Sequence, residues 1–190
     1  MIIKEAIAKL PPRIPVKILF EDEARFGRLS DHRRCWAPMW ERPVVGRQVI
    51  REYVYTIAAV CPADGNIVSL IMPWMDAEIM SVFLAHAGME LKNSHCLIFM
   101  DRAMWHVAKD VRLPKNITLL FLPPYSPELN PVEHIWDHLR ENYFGNRMFE
   151  SLDKVEDVLC SGLQDLSKDN KLVSSLTYFN WLKTINLISN

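Results

Sequence analysis

The chain has little of what common nucleotide-binding and metal-binding motifs are made from. Its 6 glycines form no glycine-rich phosphate loop, so the ATP and dinucleotide fingerprints are absent. Its 4 cysteines, Cys35, Cys61, Cys96 and Cys160, are scattered with no C-x-x-C pair. That spacing argues against a zinc ribbon, a redox motif or a disulfide framework, and predicts free thiols. No apolar run reaches membrane-spanning length. Lys4, Glu5 and Lys9 break up the start of the chain, where a signal peptide would need an apolar run. A soluble protein of the cytoplasm is expected. Positive charge is also not in excess, for the formal net charge is −1. A domain that grips nucleic acid by its phosphates is usually basic. Any such grip must therefore come from local patches, with metal ions offsetting the carboxylates, or from a separate module, and composition favours the module.

What is present is ample core material. Of 190 residues, 49% are hydrophobic and 24% charged, which suits a single domain. Residues 2–10 fit a short helix that Pro11, Pro12 and Pro15 terminate, so 1–15 reads as helix and linker and 16–190 as the domain. Apolar and β-branched runs predict strands at 16–21, 52–60, 66–72, 95–100 and 117–122. Asp64-Gly65 marks a hairpin turn between the second and third. Asp76 caps a predicted helix to about residue 89. Residues 103–111 fit another helix. Asn130 caps one that carries Val132, Ile135, Trp136, Leu139 and Tyr143 on one stripe, with Pro131 at its first position. Ser151 starts a further helix, and 172–187 fit a last one. This order predicts an α/β layer structure with a mixed sheet.

Three acids stand where these elements can bring them together. Alternation puts Ile18, Phe20 and Asp22 on one face of the first strand, and Leu97, Phe99 and Asp101 on one face of the fourth. Both aspartates are expected at the C-terminal ends of apolar strands, where sites in α/β sheets gather. Glu133 lies in the first turn of its helix, on the flank of the apolar stripe. Three carboxylates suit Mg2+ or Mn2+, and two such ions can activate an attacking hydroxyl and stabilise a leaving oxygen. Taken singly, each acid is equally well a turn residue or a favourable first-turn charge.

The segment LPPYSPELNPVEHIWDHLR, residues 122–140, closely resembles the last catalytic motif of mariner-like and related bacterial insertion-sequence transposases of the DDE superfamily. FEDEARF at 20–26 resembles the first motif and FMDRAMWH at 99–106 the second, in the family's order. The resemblance implies a ribonuclease H-like fold, with a mixed central sheet flanked by helices. It also implies magnesium- or manganese-dependent nicking at element ends followed by strand transfer. Asp22, Asp101 and Glu133 would then be the catalytic and metal-binding acids, holding two ions. His106, Tyr125 and Asn130 match positions around them and would support the acids. DNA is the implied partner, with a homodimer working on paired ends. The chain departs from the family pattern at Arg102, where asparagine is usual, and at Trp40, where glycine is usual. It also lacks the N-terminal helix-turn-helix region, which a separate DNA-binding subunit would supply. A truncated, inactive relative, or a metal-dependent endonuclease that cuts without joining, fits the same residues.

Arg25, Arg28, Arg33 and Arg34, with Trp36 among them, form an arginine-rich strip after the first acid, and with Arg102 they are candidate DNA contacts. A charged hairpin surface balanced by Asp31, Glu41 and Glu52 explains the strip equally well. His134 and His138, four apart on one helix, share a face, but Ile135 stands where a zinc hydrolase would carry its glutamate.

Overall fold

The computed structural model describes residues 2–8, 10, 14–101, 103, 111–124 and 126–182. A short helix, α1 (Ile2–Ala8), precedes the domain. The strands are β1 (Val16–Leu29), β2 (Val49–Cys61), β3 (Asn66–Met72), β4 (His95–Met100) and β5 (Ile117–Phe121). The helices are α2 (Ala77–Glu90), α3 (Glu133–Leu139), α4 (Leu152–Lys168) and α5 (Asn170–Thr177). A π-helical turn, Arg140–Phe144, continues α3 directly. Among the described residues no helix is long and apolar enough to cross a membrane.

The sheet has five strands in the order β3-β2-β1-β4-β5. β1, β2 and β3 form an antiparallel meander, whereas β4 and β5 run parallel to β1, so the sheet is mixed. β1 is longer than its sequence suggests, because the acidic run at Glu21 to Glu23 does not end it. Its ladder with β2 continues from Phe20↔Val60 as far as Leu29↔Val49, so the backbone stays paired through the acids. Its parallel ladder with β4 stops at Phe20↔Phe99. Asp22 therefore marks the end of the parallel half of β1 and lies within the strand, a correction to the strand-end placement expected for it.

Period-two alternation along β1 feeds two cores. Ile18, Phe20, Ala24 and Phe26 pack against Val132, Ile135, Trp136 and Leu139 and the apolar stripe of α4. Leu19, on the other face, joins Ile79, Met80, Phe83 and Leu84 of α2. Two of the three expected caps are present: Asp76 accepts from the Ile79 N–H and Ser151 from the Lys154 N–H. The third is corrected: α3 begins at Glu133 with Val132 at its N-cap and no side-chain cap bond, so Asn130 and Pro131 precede the helix. The β2–β3 turn places Gly65 at φ 69°, in the left-handed region that suits glycine. A Cβ there would lie 1.8 Å from the Asn170 carbonyl oxygen, so this turn packs directly on α5.

Two expectations end differently, and one falls mostly outside what the structure describes. Most of the helix read at 103–111 lies outside the described residues. Of the helix read at 172–187, the described part is α5, which stops at Thr177; residues 183–190 lie outside the described set. Trp40 adopts φ 77°, so the backbone keeps the glycine-type conformation even though a tryptophan fills the position.

Candidate active site

Asp22 and Asp101 each lie two residues beyond the last parallel pair, Phe20↔Phe99, on adjacent strands and on the same face of the sheet. The two phenylalanine rings stack beneath them at 5.2 Å, which fixes the local register. Glu133 arrives from the other side, at the start of α3. Asn130 secures that arrival. Its Nδ2 donates to the Glu21 carbonyl at 2.9 Å, and its Oδ1 accepts from the Val132 N–H at 3.3 Å. One buried side chain thus ties the start of α3 to β1 beside Asp22. The proline-rich turn before it forms a wall: Asp22, Asp101 and Glu133 line one cleft of about 480 Å³ with Leu122, Pro123, Pro124 and Pro127.

The carboxylates differ in their surroundings. Asp101 is exposed, and its Oδ1 accepts from the Ala103 N–H at 2.8 Å. Asp22 is largely buried, and its Oδ2 accepts from the Trp136 indole Nε1–H at 3.0 Å. Burial, and next the Glu133 carboxylate, push the Asp22 carboxyl up to about 7, against the pull of the Trp136 N–H. Directly beneath, Glu21 is fully buried. Burial, followed by Glu23, Asp22 and Asp101, holds it well above the usual carboxylate range. Acid clustering of this kind gives a strong preference for positive charge. Among the described residues no three carboxylates, histidines or cysteines lie close enough to enclose a metal ion by themselves. The oxygen donors nonetheless fit Mg2+ or Mn2+, which take one or two carboxylates and complete their shells with water and phosphate oxygens.

Residues 17–156 match the family described as DDE superfamily endonuclease. The chain belongs to that superfamily. It is 37% identical over 130 residues to the uncharacterized protein y4pE/y4sA of Sinorhizobium fredii, covering 68% of this chain and 96% of that one. Among solved structures, it is similar to the pre-cleavage Mos1 transpososome, with a TM-score of 0.61 at 12% identity over all of this chain and 60% of the other. It is also similar to the Mos1 mariner paired end complex with Mn, with a TM-score of 0.57 at 14% identity over 86% of this chain and 56% of the other. The chain thus spans somewhat more than half the length of these transposase chains. The expected ribonuclease H-like fold, a mixed sheet flanked by helices, is the fold observed.

In this member of the DDE superfamily the other candidate residues fare unequally. Arg102, His106 and Tyr125 lie outside the described residues. Arg28 pairs with Glu52 at 2.8 Å and donates from Nε to the Phe149 carbonyl at 3.0 Å. Arg33 bridges Asp31 at 3.0 Å, Asp137 at 3.8 Å and Glu141 at 3.7 Å. Arg33 braces the long β1–β2 connection against α3 and the π-helical turn, and Arg28 ties β1 to β2 and to the segment after that turn. Arg34 and Trp36 are exposed, and Arg25 lies over the Tyr53 ring. His134 packs edge-on against Phe179, and His138 faces Asn142.

Sequence reasoning missed two participants. Trp136 reads as one more member of an apolar stripe, and only the folded chain brings its N–H to Asp22. Glu21 reads as part of a solvated acidic run. The one available signal was alternation: a strand that continues through FEDEARF must turn Glu21 inward on the face opposite Asp22.

Proposed function

We propose that this chain is the catalytic domain of a DNA transposase, which nicks phosphodiester bonds at element ends and then joins the freed 3′-hydroxyl to target DNA. The observation that carries this reading is the convergence of Asp22, Asp101 and Glu133 on one cleft from β1, the end of β4 and the start of α3. Membership of the DDE endonucleases and a fold similar to the Mos1 transposase support it.

Asp22, Asp101 and Glu133 would hold divalent metal, Mg2+ or Mn2+, as two ions. When bound, the ions would activate the attacking water or 3′-hydroxyl and stabilise the leaving oxygen. The chain's own contribution is placement. Trp136 fixes Oδ2 of Asp22, which lines the cleft. Asn130 sets where α3 begins, and so where Glu133 points. The proline wall limits solvent on one side. Joining two element ends requires two such sites, so the reading implies a homodimer on DNA.

The test is cleavage of a labelled duplex carrying candidate element ends, in Mg2+, by the wild type and by Asp101→Asn. Nicking and joining by the wild type, with both lost in the variant at unchanged thermal stability, is the expected outcome. Equal cutting by the variant would overturn the assignment, and cutting that never proceeds to joining would reduce the reading to a nuclease.

A further inference from the structure

Glu133 borders a second and larger depression. On the side away from the proline wall, a groove of about 910 Å³ runs along β1 toward its C-terminal end, between the β1–β2 hairpin and the α3–π-turn segment. Arg25, Arg51, Arg140 and Arg147 line it, and Phe26 and Tyr53 contribute aromatic surface. Four acids line it, Glu23, Asp31, Glu52 and Glu133; Asp31 and Glu52 are balanced by Arg33 and Arg28, and Glu133 is shared with the acid cleft. The other four arginines form no ion pair among the described residues. Three of them are held against rings instead: Arg25 lies 5.1 Å from the Tyr53 centroid, Arg140 5.5 Å from that of Phe26 and Arg147 5.9 Å from that of Phe149. A guanidinium fixed this way keeps its N–H fork available to an anion, and its order is already set before a ligand arrives.

The helical period explains why these groups share one trough. Glu133, Trp136 and Arg140 follow one face of α3, and the π-helical turn then carries Arg147 round to the same side. The acid cleft and the arginine groove both include Glu133, so a chain lying in one passes directly into the other.

We propose that this groove seats the sugar–phosphate backbone of the DNA strand flanking the cleaved phosphate, with Arg51, Arg140 and Arg147 as the phosphate contacts. The inference rests on the transposase reading of the acids, and it assigns a direction to the substrate. The flanking strand leaves Glu133 along β1, away from the proline wall. It also moves the grip from Arg28 and Arg33, which are ion-paired within the protein, to arginines that are not; of these, Arg147 gives one N–H to the Tyr143 carbonyl at 2.8 Å and keeps the rest of its fork for a phosphate.

The experiment measures anisotropy of a fluorescein-labelled single strand, without divalent metal, across a salt series. The proteins are the wild type, Arg51→Ala/Arg147→Ala, the same pair with Arg140→Gln, and a control with Lys168→Ala and Lys171→Ala outside both clefts. The triple variant should bind at least ten-fold more weakly, and its slope of log affinity against log salt should fall by about 2, at ~0.7 per lost phosphate contact. The double variant removes only exposed side chains, so it reports even where losing Arg140 from the Phe26 ring impairs folding, and its slope should fall by about 1.4. Wild-type affinity and slope in both variants, or losses no larger than the control's, would overturn the groove assignment. Failure of the underlying reading is separate: it shows as cutting by Asp101→Asn, whatever the arginine variants bind.

Discussion

Replacing Asp22 with asparagine should stabilise the metal-free protein at neutral and alkaline pH. The folded chain raises the Asp22 carboxyl from 3.8 to about 7, first through burial and then through the charge on Glu133. Because the folded pKa lies above the unfolded one, the folded state holds its proton where the unfolded chain has released it. Stability is therefore intact below pH 3.8, falls as pH rises through the window from 3.8 to about 7, and stays reduced above it. Roughly three pKa units at about 1.4 kcal/mol each give up to ~4 kcal/mol of destabilisation at pH 8. Asparagine keeps an oxygen to accept from the Trp136 N–H and carries no charge, so it escapes that loss. In a domain of this size ~4 kcal/mol corresponds to a Tm gain of roughly 10 °C. Thermal unfolding followed by circular dichroism in EDTA, from pH 4 to pH 8.5, measures it. The Tm difference should be near zero at pH 4, grow through the window and level off above pH 7.5. An Asp22→Asn protein that is less stable than the wild type at pH 8, or a Tm difference independent of pH, would refute the claim that the fold desolvates this carboxylate.

Two further substitutions probe the supports around that group. Trp136→Phe removes the only side-chain N–H donor recorded for Asp22 among the described residues, and should weaken Mn2+ binding about ten-fold, in keeping with ~1.5–3 kcal/mol for a hydrogen bond to a charged group. Calorimetric titration at pH 7.5 reads this, and unchanged affinity would show that the indole serves packing alone. Asn130→Ala deletes both bonds that tie the start of α3 to β1 and leaves the Glu21 carbonyl without this donor. It should cost about 1–3 kcal/mol in denaturant unfolding. Aspartate at 130, which cannot donate to that carbonyl, should fail to restore the loss.

Much of this architecture was legible because the chain's local rules agree with one another. Alternation in β1 and β4, the Asp-Gly turn and the side-chain caps at Asp76 and Ser151 each depend on neighbours a few residues away. The pattern also told which acids could meet, since Phe20 and Phe99 announce matching faces two residues before Asp22 and Asp101. What it could not tell is set by partners far along the chain. β1 outruns its apolar stretch because β2 supplies a ladder for the acidic residues. Arg28 and Arg33 look like free cations until Glu52, Asp137 and Glu141 are brought to them. Trp136 is indistinguishable from its apolar neighbours until the fold sets its indole 114 residues away against Asp22.

That last contact bears on why so costly an arrangement is kept. A carboxylate raised to about 7 beside a second carboxylate works against folding, and the hydrogen bonds donated by the Trp136 indole and the Glu23 backbone offset only part of the cost. In a protein whose task ended with folding, an apolar or neutral residue at position 22 would be the more stable choice. The same strain becomes useful if a divalent cation enters the cleft, since the cation favours the ionised form that burial opposes. The stability that Asp22 gives up in isolation is then recovered as affinity for the ion, so Mg2+ should raise the Tm of the wild type and leave that of Asp22→Asn nearly unmoved. If the metal stabilised both proteins equally, it would be binding elsewhere, and the desolvated acid would have no compensating role.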